Sequence, residues 1–315
     1  MKRKIWVVSV LLILILFFSY GGISVFSASE VTKAERRPLD DTPARLEISF
    51  EEVEFPARGG NIQLRGWWLP ATTTEVAGTI ILVHGLDDNR ATLKLGLVDL
   101  ADGLRQENFN VLMFDLRGHG ESDSGRLSGG LFEQDDLLGA YDWVVKEKNP
   151  PCKIGLLGIS MGASISLLVA AREPGISGVV ADSPFANIKD MLATEIPKRA
   201  PVPSWLASAL VPGITWTVRT LYKIDLDKID PEKVVGDLKY PFLLIHCDND
   251  ERIPVKHSRR LHEAAPSILW VIDSGEHAQI FKAHPEDYIK RVSDYFRSVF
   301  KLKSVSFKRV YSRLL

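Results

Sequence analysis

The run Ile154-Gly155-Leu156-Leu157-Gly158-Ile159-Ser160-Met161-Gly162-Ala163 constrains this chain more than any other. It reads as a short apolar strand, a Gly-x-Ser-x-Gly turn, and a helix opening on small residues. The pattern alone is weak in a chain with 23 Gly; the strand before it and the helix after it give it meaning. A serine on so tight a turn must take a strained backbone, and its neighbours must lack bulk, hence Gly158 and Gly162. Such a turn lifts the Ser160 hydroxyl above a sheet. It also aims the Met161 N–H, at a helix N-terminus, towards the same point.

The rest of the chain supplies a scaffold for that turn. At 315 residues it makes one large domain or two small ones. Stretches 52–56 and 62–69 flank Gly59-Gly60 and read as a hairpin. Short β-rich runs come next at 79–83, 111–114, 154–157, 179–181, 242–245 and 268–272. Several are apolar throughout, as strands covered on both faces are. Helix-length segments lie between them at 91–107, 131–148, 163–173, 255–265 and 285–301. Strand–helix alternation predicts a mostly parallel sheet with helices on both faces. The interval 183–240 breaks the rhythm. It is too long for a structureless loop and holds helical patches such as 186–195, so it is expected to be a helical cap inserted after the sixth strand.

With these elements placed, the chain resembles an α/β-hydrolase, in the branch with lysophospholipase-like, monoacylglycerol-lipase-like and proline-aminopeptidase-like members. The resemblance covers roughly 50–300 and rests on five motifs in order. Leu82-Val83-His84-Gly85-Leu86 resembles the oxyanion loop after the third strand. Asp115-Leu116-Arg117-Gly118-His119-Gly120-Glu121-Ser122 resembles the loop after the fourth, with a mostly structural role. The elbow, an acid loop and a histidine loop complete the set. The fold implied is an eight-stranded, mostly parallel α/β-hydrolase sheet, and the activity implied is that of a serine hydrolase.

Chain order in this fold is Ser, then acid, then His. That order removes His84 and His119 as the base; His257, His262 and His284 fall in or beside helices, and His246 ends a strand. His277 remains, just beyond the last strand in Asp273-Ser274-Gly275-Glu276-His277. A serine hydroxyl needs such a base within hydrogen-bond reach. Ile245-His246-Cys247-Asp248-Asn249-Asp250-Glu251-Arg252-Ile253-Pro254 resembles the family's acid loop and puts the acid on Asp250. Cys247 stands where the family has Gly, so Asp248 is a reserve, and Asp182 after the preceding strand is a further alternative. The resemblance names Leu86 as the second oxyanion donor beside Met161.

Ser160 implies acyl transfer to water through an acyl-enzyme, on a carboxylic ester or thioester. Trp205, Trp216 and their apolar neighbours in the cap are expected to be pocket walls for a lipid-like acyl group. Two other readings stay open. A peptidase would need a cap carboxylate such as Glu195 or Asp190 for the substrate amine. A tethered binding module could use the scaffold without catalysis. The chain has no phosphate loop, dinucleotide fingerprint, His-Glu-x-x-His or paired Cys-x-x-Cys, so neither a metal nor an organic cofactor is expected.

The N-terminus adds a location. No charge occurs from Ile5 to Phe26, behind Lys2-Arg3-Lys4. Twenty-two helical residues reach about 33 Å, enough to cross a hydrocarbon core. Ser27-Ala28-Ser29 also reads as a cleavage site, so 1–29 is expected to be a membrane anchor, with a cleaved secretory signal as the alternative. Either reading exports the remainder of the chain, which comprises a linker at 30–45, the hydrolase domain at 46–300 and a basic tail at 301–315. The first 29 residues carry three positive charges and the last 15 carry five, which leaves the body at −9 within a whole-chain charge of −1. So acidic a body is a poor partner for nucleic acid. Cys152 opens one strand and Cys247 closes another, about 17–20 Å away along the sheet, so both are expected unpaired.

Overall fold

The continuously apolar runs become the centre of one eight-stranded sheet. A computed structural model describes residues 2–60, 62–149, 153–273 and 275–301. The strands are β1 (Glu51–Pro56), β2 (Gln63–Leu69), β3 (Gly78–Val83), β4 (Phe109–Phe114), β5 (Ile154–Ile159), β6 (Ile176–Asp182), β7 (Phe242–Cys247) and β8 (Ser267–Ile272). Their order is β1-β2-β4-β3-β5-β6-β7-β8. β2 runs antiparallel to both β1 and β4, and all other neighbours are parallel. Every residue of β3, β5 and β7 is buried, which is why these strands read as apolar without alternation.

The helices are α1 (Lys2–Val31), α2 (Leu97–Gln106), α3 (Glu133–Trp143), α4 (Met161–Arg172), α5 (Lys189–Arg199), α6 (Ser204–Leu221), α7 (Pro231–Val234), α8 (Lys256–Ala264), α9 (Ile280–Ala283) and α10 (Pro285–Phe300). α2 and α10 bury Leu100, Leu104, Val292 and Phe296 against the sheet face carrying Ile80, Leu82, Val111, Met113 and Leu157. α3 and α4 pack on the sheet outside that cluster. The chain divides into two compact units. One joins α1 to α5 and α6 (Met1–Lys33 with Ile188–Lys228); the other holds the sheet and the remaining helices.

Several expectations need adjustment. The helix expected at 91–107 starts only at Leu97, because the Asn89 and Thr92 side chains bond the backbone of the preceding turn and Gly96 takes φ 68°. The patch at 186–195 becomes α5, shifted three to four residues along. The segment read as a linker is pinned down: Arg36 donates to the carbonyls of Gly120 and Ser122 at 2.8 and 2.7 Å. Cys247 is a free, buried thiol, whereas Cys152 and the tail beyond Lys301 lie outside the described residues.

Candidate active site

The elbow forms where β5 meets α4. Ser160 stands between them at φ 56° and ψ −119°, a conformation non-glycine residues rarely hold. Close packing enforces it. A Cβ on Gly158 would overlap the backbone of Gly162, and one on Gly162 would overlap the carbonyls of Val83 and His84. The Ser160 N–H is anchored to the Asp182 carbonyl at 2.7 Å, on the neighbouring strand. The first N–H groups of a helix have no partner within it. Ala163 and Ser164 donate back to the Ser160 carbonyl, and Met161 is the first residue of α4.

Two loops complete the constellation. The Ser160 hydroxyl donates to His277 Nε2 at 2.8 Å, and His277 Nδ1–H donates to Asp250 Oδ2 at 2.6 Å. Asp250 Oδ1 accepts the N–H groups of Arg252 and Ile253 at 2.9 and 2.8 Å, which fixes the carboxylate plane. Burial alone would raise the Asp250 pKa. The close approach of His246, and hydrogen bonds from His277 and the Ile253 amide, hold it well below the usual carboxylate range.

The other candidate acids have different partners. Asp248 is half-exposed and accepts from Arg259 at 3.1 Å. Asp182 is buried and accepts the hydroxyls of Ser183 and Tyr288 at 2.9 and 3.0 Å; burial keeps its carboxyl raised.

The loop that follows β3 is held by a pair of neutral histidines. His84 Nδ1–H donates to the Gly85 carbonyl at 2.7 Å and its Nε2 accepts from the Leu116 N–H at 3.0 Å. His119 repeats the pattern, bonding the Arg117 carbonyl at 2.8 Å and the Asp87 N–H at 3.3 Å. Each ring needs a lone pair on Nε2, so each must stay neutral. Burial and then the neighbouring His119 push His84 down to about 3, and burial lowers His119 too. The loop at 115–122 is stitched by Asp115, which binds Arg90 and accepts the Glu121 N–H at 2.9 Å.

Two contributors escaped the motif reading. His246 Nε2 lies 3.4 Å from Asp250 Oδ2, and its other contacts are Ser258 Oγ and the Ile253 carbonyl, both at 2.7 Å. Its place four residues before the acid was the available signal. Asp88 is the second. Its Oδ2 and Ser160 Cβ come within 3.0 and 3.1 Å of one point, where a Gly85 Cβ would stand. Burial pushes the Asp88 carboxyl up to about 6, against Arg252 and Arg37.

The two cap tryptophans are placed otherwise than expected. Trp205 and Trp216 lie on α6 with 79% and 65% of their surface exposed, so neither ring walls an enclosed pocket. They stand on the side of the helix opposite Leu210 and Ile214. Glu195 is paired with Lys198 at 2.8 Å.

A doubly wound sheet with a serine elbow at the end of its fifth strand defines a hydrolase of the α/β class. The family model for S33 serine aminopeptidases matches residues 74–234. The Bacillus subtilis protein YqkD is 30% identical over 257 residues, covering 78% of this chain and 81% of YqkD. The mouse lysophosphatidylserine lipase ABHD12 is 24% identical over 236 residues, 73% of this chain and 56% of its own length. The Pyrococcus furiosus esterase Pf2001 superposes with a TM-score of 0.69 at 26% identity, over 85% of this chain and 98% of its own. The chain belongs to the α/β-hydrolase superfamily.

Proposed function

We propose that this chain is a membrane-anchored serine hydrolase that cleaves a carboxylic ester or thioester of an apolar acyl group, with Ser160 as nucleophile, His277 as base and Asp250 as acid. The hydrogen-bonded series from Ser160 through His277 to Asp250, 2.8 and 2.6 Å long, carries the reading.

Ser160 Oγ attacks the substrate carbonyl as its proton passes to His277 Nε2. Asp250, already ionised and held by two backbone N–H groups, orients the ring and offsets the imidazolium charge. The N–H groups of Met161 and Leu86 bind the oxyanion. His277 then gives its proton to the departing alcohol or thiol, which leaves Ser160 acylated. Water, deprotonated by the same ring, releases the acid and restores Ser160.

The lipase and esterase among the similar proteins support an ester substrate. The anchor reading rests on α1, the one described helix long and apolar enough to cross a membrane. It places Lys2-Arg3-Lys4 inside and the sheet outside. The aminopeptidase description of the matching family model favours a second reading, peptide cleavage by the same residues. A panel of acyl esters beside aminoacyl amides, run on the wild-type chain and Ser160→Ala, separates the two. Ester turnover that disappears in the variant supports the proposal; amide turnover without ester turnover would replace it. Membrane fractionation of the full chain tests the anchor, and a soluble form beginning near Glu30 would contradict it.

A further inference from the structure

Helix α6 presents an unusual face. Trp205, Ala209, Pro212 and Trp216 recur at i, i+4, i+7 and i+11, and none of the four is buried. The opposite side of the helix buries Ala207, Leu210, Ile214 and Val218. The two exposed indoles stand eleven residues apart on one stripe, about 16 Å along the axis. Arg219 is the one charged residue in the 18-residue helix. Two large aromatic rings at either end of an apolar stripe are costly to leave in water.

The stripe lies beside α1, because the two helices are locked at the middle of α6. The Tyr20 hydroxyl donates to the Ala209 carbonyl at 3.0 Å and accepts the Gly213 N–H at 3.1 Å. Those two groups would otherwise pair with each other in the helix ladder, so the Tyr20 side chain is inserted into α6 beside Pro212. The approach needs small residues on both sides. Ser24, Ser27 and Ala28 are the buried residues of α1, and a Cβ on Gly213 would overlap Ser24 Oγ.

This contact fixes a depth. Tyr20 precedes Phe26, the last aromatic residue of α1, by six residues, about 9 Å of helix. Helices that lie in a bilayer interface bury their apolar face about 5–10 Å into the headgroup and acyl boundary, where Trp and Tyr collect. Ile23 and Phe26, on the turns of α1 that follow Tyr20, are exposed as well.

We infer that α6 is a second membrane-contacting helix, laid in the outer bilayer interface against the anchor, with Trp205 and Trp216 seated at the headgroup–acyl boundary and Tyr20 holding it at that level. The inference rests on the retained-anchor reading of α1. It gives the two tryptophans a lipid surface as their partner in place of a substrate acyl chain.

The test uses the full 315-residue chain in phosphatidylcholine vesicles, plain or brominated near the head of the acyl chains. Trp205→Phe/Trp216→Phe keeps the apolar face and removes only the two indoles; each single variant provides a further comparison should the pair fold poorly. The emission that the wild type has and the variant lacks belongs to Trp205 and Trp216. Brominated lipid should quench that difference by about half or more, and aqueous acrylamide should barely touch it. A difference quenched by acrylamide and untouched by bromine puts the stripe in water and overturns the inference. A difference shielded from both means that protein covers the stripe, such as a second copy of the chain, and overturns it equally. A mature chain beginning near Glu30 in cells would instead remove the anchor reading itself.

Discussion

His246 Nε2 stands 3.4 Å from the same Asp250 oxygen that accepts the His277 N–H at 2.6 Å, so one carboxylate oxygen is flanked by two imidazoles. One ring belongs to the proposed proton relay. The other is fully buried and tied to Ser258 and the Ile253 carbonyl.

His246→Ala should therefore loosen Asp250 without touching substrate. A 3.4 Å approach to the carboxylate is weaker than a full hydrogen bond and is worth about 1 kcal/mol, so kcat should fall roughly fivefold while KM stays nearly constant. The variant should also melt earlier, since Ser258 and the Ile253 carbonyl lose their buried partner. Unchanged kcat with a lowered melting temperature would confine His246 to a structural role.

Asp250→Asn and Asp248→Asn separate the two acids of the loop. The first should be severe, because it favours the wrong His277 tautomer, a change that costs about 10⁴ in kcat in a related triad. The second should be mild, since Asp248 faces Arg259 at the surface. Steady-state ester hydrolysis by both variants checks the order; the reverse order would place the acid two residues earlier.

Asp88 carries a stability cost. Its folded pKa, pushed up to about 6 by burial, lies above the ordinary 3.8. The folded state therefore binds more protons than the unfolded chain between these values, and stability falls as pH rises through them. The difference between these values corresponds to about 3 kcal/mol. Asp88→Asn should accordingly raise the melting temperature at pH 8 and leave it nearly unchanged at pH 4. A stabilisation equal at both pH values would show that burial of the ionised carboxylate is not the cause.

If the acyl group is buried on binding, each methylene adds about 0.8 kcal/mol, up to about fourfold in kcat/KM. Activity should rise from acetyl to medium-chain esters and then level. Activity that is flat or falls with chain length would argue for small esters or peptides.

Legibility in the sequence differs between the two units. The sheet was legible because β3, β5 and β7 are covered on both faces and so carry no polar alternation. Ser160 was legible because its strained φ demands glycines on either side, and glycines are visible in a sequence. The pairing of His84 with Leu116, and of His119 with Asp87, was not: a neutral histidine accepting a backbone N–H leaves no local pattern. α6 illustrates a different limit. Helical periodicity marks Trp205 and Trp216 as apolar, but which side of a helix is buried depends on what packs against it. Here α1 packs against α6 from a distance of about 190 residues in sequence, through Tyr20.

The central claim is that Ser160 is an activated nucleophile, and mapping a fluorophosphonate adduct by peptide mass spectrometry tests it most directly. The adduct is expected on the peptide carrying Ser160. It should be lost in Ser160→Ala and strongly reduced in His277→Ala, and the double variant should have no less ester turnover than either single one, because such groups act as a unit. An adduct on another residue, or ester turnover undiminished in Ser160→Ala, would contradict it.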